Sequence, residues 1–517
     1  MKQSKTVTRN PETGNRQLKD KGLRKIKNIK TDTMKIYNSL TNKKEEFVPL
    51  IENEVKIYAC GPTVYDEPHI GHARSAFIFD VIKRYFKYKG FKVLFVRNVT
   101  DVDDKIIAKA QAEFPELELN DAVSKVSSKY LDSYHNAMER LGITLSEGDK
   151  EPRATEYIRK MQDFISDLIQ KKAAYEVDGD VYFDISSFGD YGKLSNQNLD
   201  KMKEGARIHP GEKKKNALDF ALWKKTKEGE PSWDSPWGKG RPGWHIECSV
   251  MSSDILGDEF DIHGGGIDLI FPHHENEVAQ SQAAGKKFAK YWIHHGLLTI
   301  EEQKMSKSLG NFKTIDEVVK DLPESAAADI LKVFFLRVHY SKSVNFSKET
   351  IQDAKEATHR ILRVLEGDYA ITAIDEEYVK EVNFHKDLFM QSMDDNFNTA
   401  KALADIFGIV RYCSFLKGKQ EKDNKKVESA IRYAQNTIRE LGKVLGLELN
   451  ELDIHDPLWG KLGAFIISKE EVENKIELRT ELRKQKKFAE ADSIRKELED
   501  KGILLKDAPQ GTTWEIG

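Results

Sequence analysis

The sequence predicts an α/β protein with a parallel sheet that is interrupted by an insertion, followed by a helical bundle and a small C-terminal α+β domain. Apolar side chains alternate along residues 55–59, which is the pattern of a strand. Between residues 71 and 85 the apolar side chains instead recur at the spacing of one helix face. Long amphipathic runs between residues 324 and 449 predict the helical bundle.

The chain of 517 residues is too long for a single hydrophobic core, so we expect several domains. Changes of pattern predict a disordered basic extension at 1–33, the first half of the sheet domain at 34–150, a connective insertion at 151–240, the second half of the sheet domain at 241–345, a helical bundle at 346–455 and a C-terminal domain at 456–517. In the last of these, two charged helices precede a short hairpin.

The extension at 1–33 is basic: it holds ten Lys and Arg residues against three Asp and Glu residues, with few large apolar residues. We interpret it as disordered, because such a composition cannot bury enough apolar surface to fold. An organelle transit segment is the alternative interpretation. Met34 could then serve as the working start of the protein.

Composition excludes some classes of protein. Charged residues make up 32% of the chain and hydrophobic residues 39%, as in a globular protein in water. Since no apolar run approaches the ~20 residues of a membrane-spanning helix, we expect no membrane partner. The net charge of −3 is no argument for nucleic-acid binding, so any RNA would bind local basic patches. Three cysteines are too few for a disulfide framework; they favour a reducing compartment, and we expect a cytoplasmic protein.

Two histidines, His69 and His72, fall in the first turn of the helix that follows the first predicted strand. A helix start offers unpaired N–H groups and partial positive charge, which suit a polyphosphate. Neutral imidazoles at that place can donate hydrogen bonds to phosphate oxygens. The alternative is an ordinary strand-to-helix turn with exposed histidines.

A second segment, at residues 304–308, reads KMSKS and runs into a loop with a glycine at position 310. Lys304 and Lys307 in such a loop could form a mobile cationic clamp for phosphates. The same pattern also describes a solvated lysine loop. Together with the HIGH sequence at residues 69–72, the segment resembles the paired signature motifs of the class I aminoacyl-tRNA synthetases.

A candidate metal site consists of Cys60, Cys248, His273 and Glu277. His273 and Glu277 are four residues apart and share a face if the segment is helical. Two thiolates, an imidazole and a carboxylate are an acceptable set of zinc ligands. Equally, both cysteines could be small buried residues, as we expect for Cys413 among its apolar neighbours. His273 could instead be a helix cap, with His274 and His263 as decoys.

The full set of motifs resembles the cysteinyl-tRNA synthetase family from Met34 to the C-terminus. The matching segments are CGPTVYDEPHIGHAR, RNVTDVDDK, EGEPSW, GRPGWHIECS, FDIHGGGIDLIFPHHENEVAQS, KMSKSLGNF, DDNFNTA and the terminal PQGTTW. The resemblance implies a Rossmann-like catalytic domain with its insertion, a bundle that contacts the tRNA stem and a C-terminal anticodon-binding domain.

The resemblance also implies a two-step reaction in which L-cysteine and ATP, with Mg²⁺, form cysteinyl-adenylate before the cysteinyl group passes to the 3′ end of cysteine tRNA. It implies one zinc ion per chain on Cys60, Cys248, His273 and Glu277, where the metal selects the cysteine thiolate. The implied catalytic residues are His69, His72, Lys304 and Lys307. The implied ATP site comprises Gly71, Gly264, Gly265, Gly266, Asp268 and Lys307, and Thr100 and Trp244 are implied for the amino-acid pocket. By resemblance we expect a monomer.

Two other functions are compatible with parts of this pattern. A ligase similar to this family could make cysteinyl-adenylate and pass cysteine to an amine, but such ligases lack the C-terminal domain. A non-catalytic RNA-binding or zinc-sensing paralogue is the alternative from another class. Intact HIGH, KMSKS and metal-ligand motifs argue against that paralogue.

Overall fold

The computed structural model describes residues 33–197, 213–227, 229–305, 310–419, 424–450, 469–485, 487–500, 503–508 and 511–516. Its strands are β1 Lys35–Asn38, β2 Lys43–Glu46, β3 Glu54–Ala59, β4 Lys92–Arg97, β5 Ala174–Val177, β6 Asp180–Phe183, β7 Phe220–Lys225, β8 Gly240–Pro242, β9 Glu259–Gly266, β10 Phe288–His295, β11 Leu298–Ile300, β12 Gln303–Lys304, β13 Val344–Phe346, β14 Ile503–Ala508 and β15 Gly511–Ile516. The extension at 1–33 lies outside the described residues except for Thr33.

The helices are α1 Ile70–Tyr88, α2 Asp104–Glu113, α3 Leu119–Arg140, α4 Ile158–Gln170, α5 Trp244–Leu256, α6 Glu275–Ala283, α7 Ile315–Val319, α8 Ala327–Leu336, α9 Lys348–Leu365, α10 Glu376–Asp394, α11 Thr399–Gly418, α12 Lys425–Val444, α13 Lys469–Lys484 and α14 Phe488–Asp500. Among the described residues, no helix combines the length and apolar composition needed to cross a membrane.

The central sheet is parallel, as the sequence predicts, and its four strands lie in the order β10-β9-β3-β4. Strand β3 and helix α1 form the predicted strand–turn–helix unit, which leads into β4. The chain then returns to the other side of β3 to add β9 and β10. In such sheets the ligand crevice forms where the strand order reverses, beyond the carboxyl ends of the strands. That place is between β3 and β9.

Both faces of this sheet are covered. Val55 and Ile57 of β3 pack into the main core with α1, α2, α3 and the helices of the bundle. Tyr58 of the same strand points to the opposite face, where it packs with Cys248 and Trp292. The alternation of side chains along a strand explains why one strand serves two cores.

The insertion forms its own antiparallel sheet, in the order β5-β6-β7-β8. Its helix α4 begins at Ile158. A short 3₁₀ turn, Ala154–Tyr157, precedes it, and residues 152–154 pair with the chain beyond β4.

After β10 the chain forms a small sheet, β12-β11-β13, which carries the start of the KMSKS segment. The predicted bundle follows as four helices, α9 to α12. At the C-terminus, α13 and α14 pack together, and β14 and β15 form the predicted antiparallel hairpin. Residues 451–468, which include the predicted boundary between the bundle and the C-terminal domain, lie outside the described residues.

Candidate active site

A cavity of about 400 Å³ opens at the carboxyl ends of the central strands. Cys60 and Gly61 line it from the end of β3, and Gly266 and Asp268 line it from the end of β9. The two strand ends are joined by a hydrogen bond from the Cys60 backbone N–H to the Gly264 carbonyl, at 3.0 Å. The cavity therefore occupies the crevice that the topology of the sheet creates.

The histidine pair, His69 and His72, borders this cavity at the start of α1. His69 is the N-cap residue: its Nδ1 accepts hydrogen bonds from the backbone N–H groups of Gly71 and His72. In return, His72 Nδ1 accepts from the His69 backbone N–H at 3.3 Å, which completes a capping box. Each acceptor Nδ1 leaves its Nε2 as the protonated nitrogen of a neutral ring.

Burial keeps both rings neutral. It lowers the pKa of His69 to about 4, and it lowers the pKa of His72 well below its usual range, with the neighbouring His69 adding to the effect. The pair can therefore donate hydrogen bonds through Nε2 without a permanent charge, as the sequence predicts. The two rings stack with their centroids 3.7 Å apart.

One part of the sequence-based argument is wrong. We expected the helix start to offer unpaired N–H groups, but the first turn of α1 is already satisfied. Gly71 and His72 donate to His69, and the Ile70 N–H donates to the Lys313 carbonyl at 3.2 Å. Because these backbone N–H groups already have partners, a phosphate at this helix start would have to bind the side chains of the histidine pair.

The four predicted metal ligands come together beside the same cavity. Cys60 Sγ lies 3.8 Å from Cys248 Sγ and 3.8 Å from Glu277 Oε1. His273 Nε2 lies 3.0 Å from the same Glu277 oxygen. Cys248, His273 and Glu277 are buried, while Cys60 is partly exposed to the cavity. We call these four residues the ligand cluster.

His274, which the sequence analysis gave as a decoy, is a competing ligand. Its Nε2 lies 3.3 Å from Cys60 Sγ, and the ligand atoms of Cys60, His273, His274 and Glu277 all lie within 4.8 Å of one another. The other nitrogen of His274, Nδ1, is bonded to His294 Nε2 at 2.8 Å. His294 therefore holds one nitrogen of the His274 ring while the other nitrogen contacts the cluster.

His263 has a different position from the one expected for a ligand. From β9 its Nε2 contacts Glu277 Oε2 at 2.7 Å, the oxygen that faces away from His273. The contact fixes the orientation of the carboxylate. His263 therefore supports a ligand of the cluster, which is the usual role of an outer-shell residue at a metal site.

The buried groups of the cluster shift one another's protonation. Burial raises the pKa of Glu277, but His263 and His273 outweigh it and bring the pKa to about 2. Burial likewise raises the pKa of the Cys248 thiol, yet hydrogen bonds with Cys60 and His273 lower that pKa to about 6. Burial and the neighbouring Cys248 raise the pKa of the Cys60 thiol. A carboxylate and at least one thiolate are thus favoured in the cluster.

The glycines of the predicted ATP site divide into two groups. Gly71 and Gly266 line the cavity, as does Asp268. Gly264 and Gly265 lie within β9, where a side chain on Gly264 would collide with the Phe79 ring and one on Gly265 would press against Leu269 and His274. Those two glycines allow close packing behind the cavity rather than backbone contact with a ribose.

The two predicted amino-acid-pocket residues also differ. Trp244 is 39% exposed, lines the cavity and packs its ring 4.3 Å from the ring of His273. Thr100 is buried and does not appear in the described cavity wall. Its hydroxyl donates to Glu247 at 2.6 Å, a partner that the sequence did not suggest. Thr100 therefore lies behind the residues that line the cavity.

Of the two predicted lysines, Lys304 lines the cavity together with its neighbour Met305. Lys307 lies outside the described residues, so its predicted role rests on the KMSKS motif alone.

The catalytic-domain model for class I tRNA synthetases of the cysteine type matches residues 46–356, and the DALR domain model matches residues 388–450. The chain is 46% identical over 498 residues to a cysteine–tRNA ligase of Thermodesulfovibrio yellowstonii, covering 93% of this chain and 99% of that one. It is 44% identical over 493 residues to a cysteine–tRNA ligase of Anoxybacillus flavithermus, covering 94% and 100%.

The chain belongs to the cysteinyl-tRNA synthetase family.

Solved structures show the same fold at low sequence identity. A methionyl-tRNA synthetase of Mycobacterium tuberculosis in complex with methionyl-adenylate aligns with a TM-score of 0.54 at 15% identity, over 76% of this chain and 90% of that one. A putative arginyl-tRNA synthetase of Campylobacter jejuni aligns with a TM-score of 0.53 at 14% identity, over 77% and 94%. The predicted class I fold is confirmed.

Three basic residues of the cavity wall were missed by the sequence analysis of this synthetase: Arg74, Arg97 and Lys105. Arg74 directly follows the HIGH helix start, and Arg97 and Lys105 begin and end the RNVTDVDDK segment. The only available signal was their position beside motifs that we had already selected. Their role depends on what each guanidinium or ammonium contacts, which spacing does not reveal.

Proposed function

We propose that this chain is a cysteine–tRNA ligase that activates L-cysteine with ATP and transfers it to the 3′ end of cysteine tRNA. In the first step a cysteine carboxylate oxygen attacks the α-phosphorus of ATP, and the bond to the bridging oxygen breaks to release pyrophosphate. In the second step a terminal ribose hydroxyl of the tRNA attacks the cysteinyl carbonyl carbon and AMP leaves.

The observation that carries this proposal is the meeting of two unlike sites at one cavity. Cys60 of the ligand cluster and the histidine pair both line it, and Trp244 covers the side next to His273. A thiol-selecting group and a phosphate-binding group on one cavity fit a reaction between cysteine and ATP. Neither group alone would suggest that pair of substrates.

The first step asks the protein mainly to position the reactants and to stabilise charge. His69 and His72 line the cavity, and their Nε2–H groups, as neutral donors, would hold the α- and β-phosphates. Lys304, and Lys307 by its motif, would neutralise the charge that develops on the leaving pyrophosphate, together with Mg²⁺ bound to ATP. Asp268 and Gly266, at the opposite side, suit the adenosine ribose.

The ligand cluster fits zinc by its chemistry. Cys60, Cys248, His273 and Glu277 offer two sulfurs, one imidazole nitrogen and one carboxylate oxygen within a few ångströms of one another. Such mixed sets hold tetrahedral zinc, and the competing His274 would be either a substitute ligand or an outer-shell support. When bound there, zinc supplies a strong preference for a soft thiolate over a neutral hydroxyl.

That preference addresses the main problem of selectivity. Serine differs from cysteine by one atom, and pocket size alone discriminates only by about 10- to 200-fold between such similar substrates. The ligand cluster would place the selection on sulfur chemistry instead. The insertion, predicted at 151–240, is then free of an editing role, which agrees with its single small sheet.

The remaining parts fit a tRNA substrate. The DALR match lies in the bundle, for which we propose contact with the tRNA stem, and the domain predicted at 456–517 would bind the anticodon. The domain boundaries predicted from the sequence belong to this proposal, as do a monomeric state and a cytoplasmic location. The rival ligase that passes cysteine to an amine would need neither the bundle match nor the helices and hairpin between residues 469 and 516.

Two assays test the proposal. Cysteine-dependent exchange of pyrophosphate into ATP should occur without tRNA, and serine should support it poorly. Charging of cysteine tRNA by the same preparation should follow. Exchange without charging would favour the amine ligase, whereas absence of both would favour the non-catalytic paralogue.

A further inference from the structure

We propose that Arg97 is an anion-binding residue of the cavity, placed to hold a phosphate group of a substrate. The inference rests on the proposed function, because it assigns a residue to that reaction. It comes from a buried guanidinium that faces the cavity and lacks the partners such a group normally has.

The position of Arg97 is fixed by the sheet. It is the last residue of β4, and its backbone N–H donates to the Lys150 carbonyl at 3.0 Å. The stem of its side chain packs against Gly61, where an added side chain would come within 3.1 Å of Arg97 Cγ. Arg97 is only 6% exposed and it lines the cavity, so its open surface faces the place where substrates bind.

The guanidinium of Arg97 has no carboxylate bound to it among the described residues, and its Nε is buried without a hydrogen-bond partner. Its Cζ lies 5.9 Å from the Phe95 ring and 5.8 Å from the Tyr134 ring, contacts that orient the group without neutralising it. Glu151 contacts His135 through Oε2 at 2.6 Å, and its other oxygen, Oε1, is buried without a hydrogen-bond partner, so it does not bind Arg97. Burying a positive charge without an opposite charge beside it costs free energy, and a bound anion would offset that cost.

Arg74 shows what a structural arginine looks like in the same cavity wall. Its two terminal nitrogens donate to four backbone carbonyls, those of Gly296, Leu297, Tyr340 and Lys342. Those bonds tie α1 to the chain after β10 and before β13. The Nε of Arg74 is buried without a partner, as it is in Arg97, but the terminal nitrogens of Arg74 bind the fold, whereas the Arg97 side chain makes no hydrogen bond among the described residues.

The charge of the cavity is divided along the sheet. Asp268 is the one carboxylate among the described residues of the wall, and it lies beyond β9. Arg97 lies at the end of β4, on the other side of β3, which places two strand spacings or roughly 10 Å between the two strands. Lys105 adds a second positive charge at the Arg97 side, above the Tyr65 ring.

Arg97 also shares a wall with the histidine pair. The Tyr134 ring packs against Arg97 and, with its centroid 6.5 Å away, against the His72 ring. An anion held by His72 Nε2 is thus on the side of the cavity that Arg97 faces. A planar guanidinium binds phosphate oxygens through two parallel N–H groups, which makes a phosphate the matching ligand.

Two substrates bring a phosphate to this place: the pyrophosphate end of ATP and the last phosphodiester of the tRNA 3′ end. The test compares Arg97→Met and Arg97→Lys with the wild-type protein. Arg159→Met is the matched control, because Arg159 is highly exposed and its one salt bridge among the described residues is to Asp163, one turn along α4. Exchange kinetics without tRNA, single-turnover transfer to tRNA and thermal midpoints are measured for each protein.

We expect Arg97→Met to raise the KM for the phosphate-bearing substrate by roughly 10- to 100-fold, the usual effect of one charge-assisted hydrogen bond. The KM for cysteine and the thermal midpoint should change little. A rise in the KM for ATP during exchange identifies ATP as the source. Intact exchange with impaired transfer identifies the tRNA. Arg97→Lys keeps the charge but loses the two parallel N–H donors of the guanidinium. Its KM for the phosphate-bearing substrate should therefore lie between those of the wild type and Arg97→Met.

The inference is overturned if both Arg97 variants match the wild type in all of these parameters. It is also overturned if the KM for cysteine rises as much as the others, which would place the cysteine carboxylate on Arg97. If Arg97→Met does not fold, Arg97→Lys alone decides between these outcomes. Failure of the wild type to catalyse exchange would instead refute the proposed function and leave the two failures distinct.

Discussion

The ligand cluster and the histidine pair border one cavity but are built in different ways. The pair is local: His69 and His72 are three residues apart, and the Nδ1 of each accepts a hydrogen bond from the backbone N–H of the other. The cluster collects residues 60, 248, 273 and 277, which come from the end of β3, from α5 and from the start of α6. Local capping forms the first site, and the strand order forms the second.

The two sites also differ in how they treat charge. Burial keeps His69 and His72 neutral, since no carboxylate is involved in their capping box. In the cluster, burial is outweighed by direct contacts that favour a carboxylate on Glu277 and a thiolate on Cys248. A neutral pair suits an anionic substrate, and an anionic cluster suits a cation. An anionic substrate and a metal cation can therefore be held at the two sides of one cavity.

The largest expected effect is on the cluster. Cys248→Ser should abolish zinc binding and reduce cysteine-dependent pyrophosphate exchange by about 10³-fold, because removing one partner from a buried charged group costs ~3–5 kcal/mol. Metal content and exchange rate measure the two effects. Cys413→Ser is the matched control: that cysteine is buried in α11, outside the cavity. Normal exchange by metal-free protein would refute the zinc assignment.

The next prediction decides between the two adjacent histidines. We expect His273→Ala to lose zinc, because His273 Nε2 lies 3.0 Å from Glu277 Oε1, the carboxylate oxygen that also lies near Cys60 Sγ. His274→Ala should weaken zinc binding by only about 10- to 100-fold, as outer-shell changes do. Zinc titration against a chelator measures both affinities. The reverse ranking would make His274 the ligand and His273 the support.

On the phosphate side, Lys307→Ala should lower the rate of adenylate formation by about 10²-fold. The substitution removes a positive charge that would stabilise the negative charge developing on the leaving pyrophosphate. The affinity for cysteine should hardly change, because the cluster is untouched. Exchange kinetics at varied ATP and cysteine measure this separation, and the exposed Lys320→Ala serves as the control. Unchanged exchange kinetics would remove Lys307 from the mechanism.

A smaller effect separates the two roles of His69. His69→Asn should keep an acceptor for the Gly71 and His72 N–H groups but lose the donor that faces the cavity, so adenylation should fall by roughly 10-fold. The thermal midpoint should stay near the wild-type value. His69→Ala should in addition destabilise the protein by about 1 kcal/mol through loss of the cap. Equal activities of the Asn variant and the wild type would leave His69 as a cap alone.

The last prediction concerns stability rather than activity. Burial lowers the pKa of His69 and that of His295 to about 4, so between pH 4 and 6.5 the unfolded chain binds protons that the folded protein does not. The free energy of unfolding should therefore fall as pH decreases through that range, by up to about 1.4 kcal/mol per pH unit for each histidine. Urea titrations between pH 4.5 and 7.5 test the sign, and His295→Asn should flatten the slope.

The sequence alone determined what depends on neighbours along the chain. The period of apolar residues gave β3 and α1 because backbone geometry places side chains at fixed intervals in each element. The histidine pair followed from the same local geometry, as did the C-terminal helices and hairpin. The predicted ligand cluster could be listed from residue types, but the sequence could not show that the adjacent His273 and His274, in the turn Ile270–His274 before α6, both place a nitrogen beside the cluster.

The tertiary structure decided everything that depends on which strand ends meet. It placed Thr100 on Glu247 rather than in the cavity wall, and it packed Gly264 against Phe79. It also gave Arg74 four carbonyls and left Arg97 facing the cavity without an anion. Two arginines beside known motifs look alike in a sequence. Their hydrogen-bond partners come from distant segments, so only the tertiary structure separates an arginine that binds four carbonyls from one whose side chain makes no hydrogen bond among the described residues.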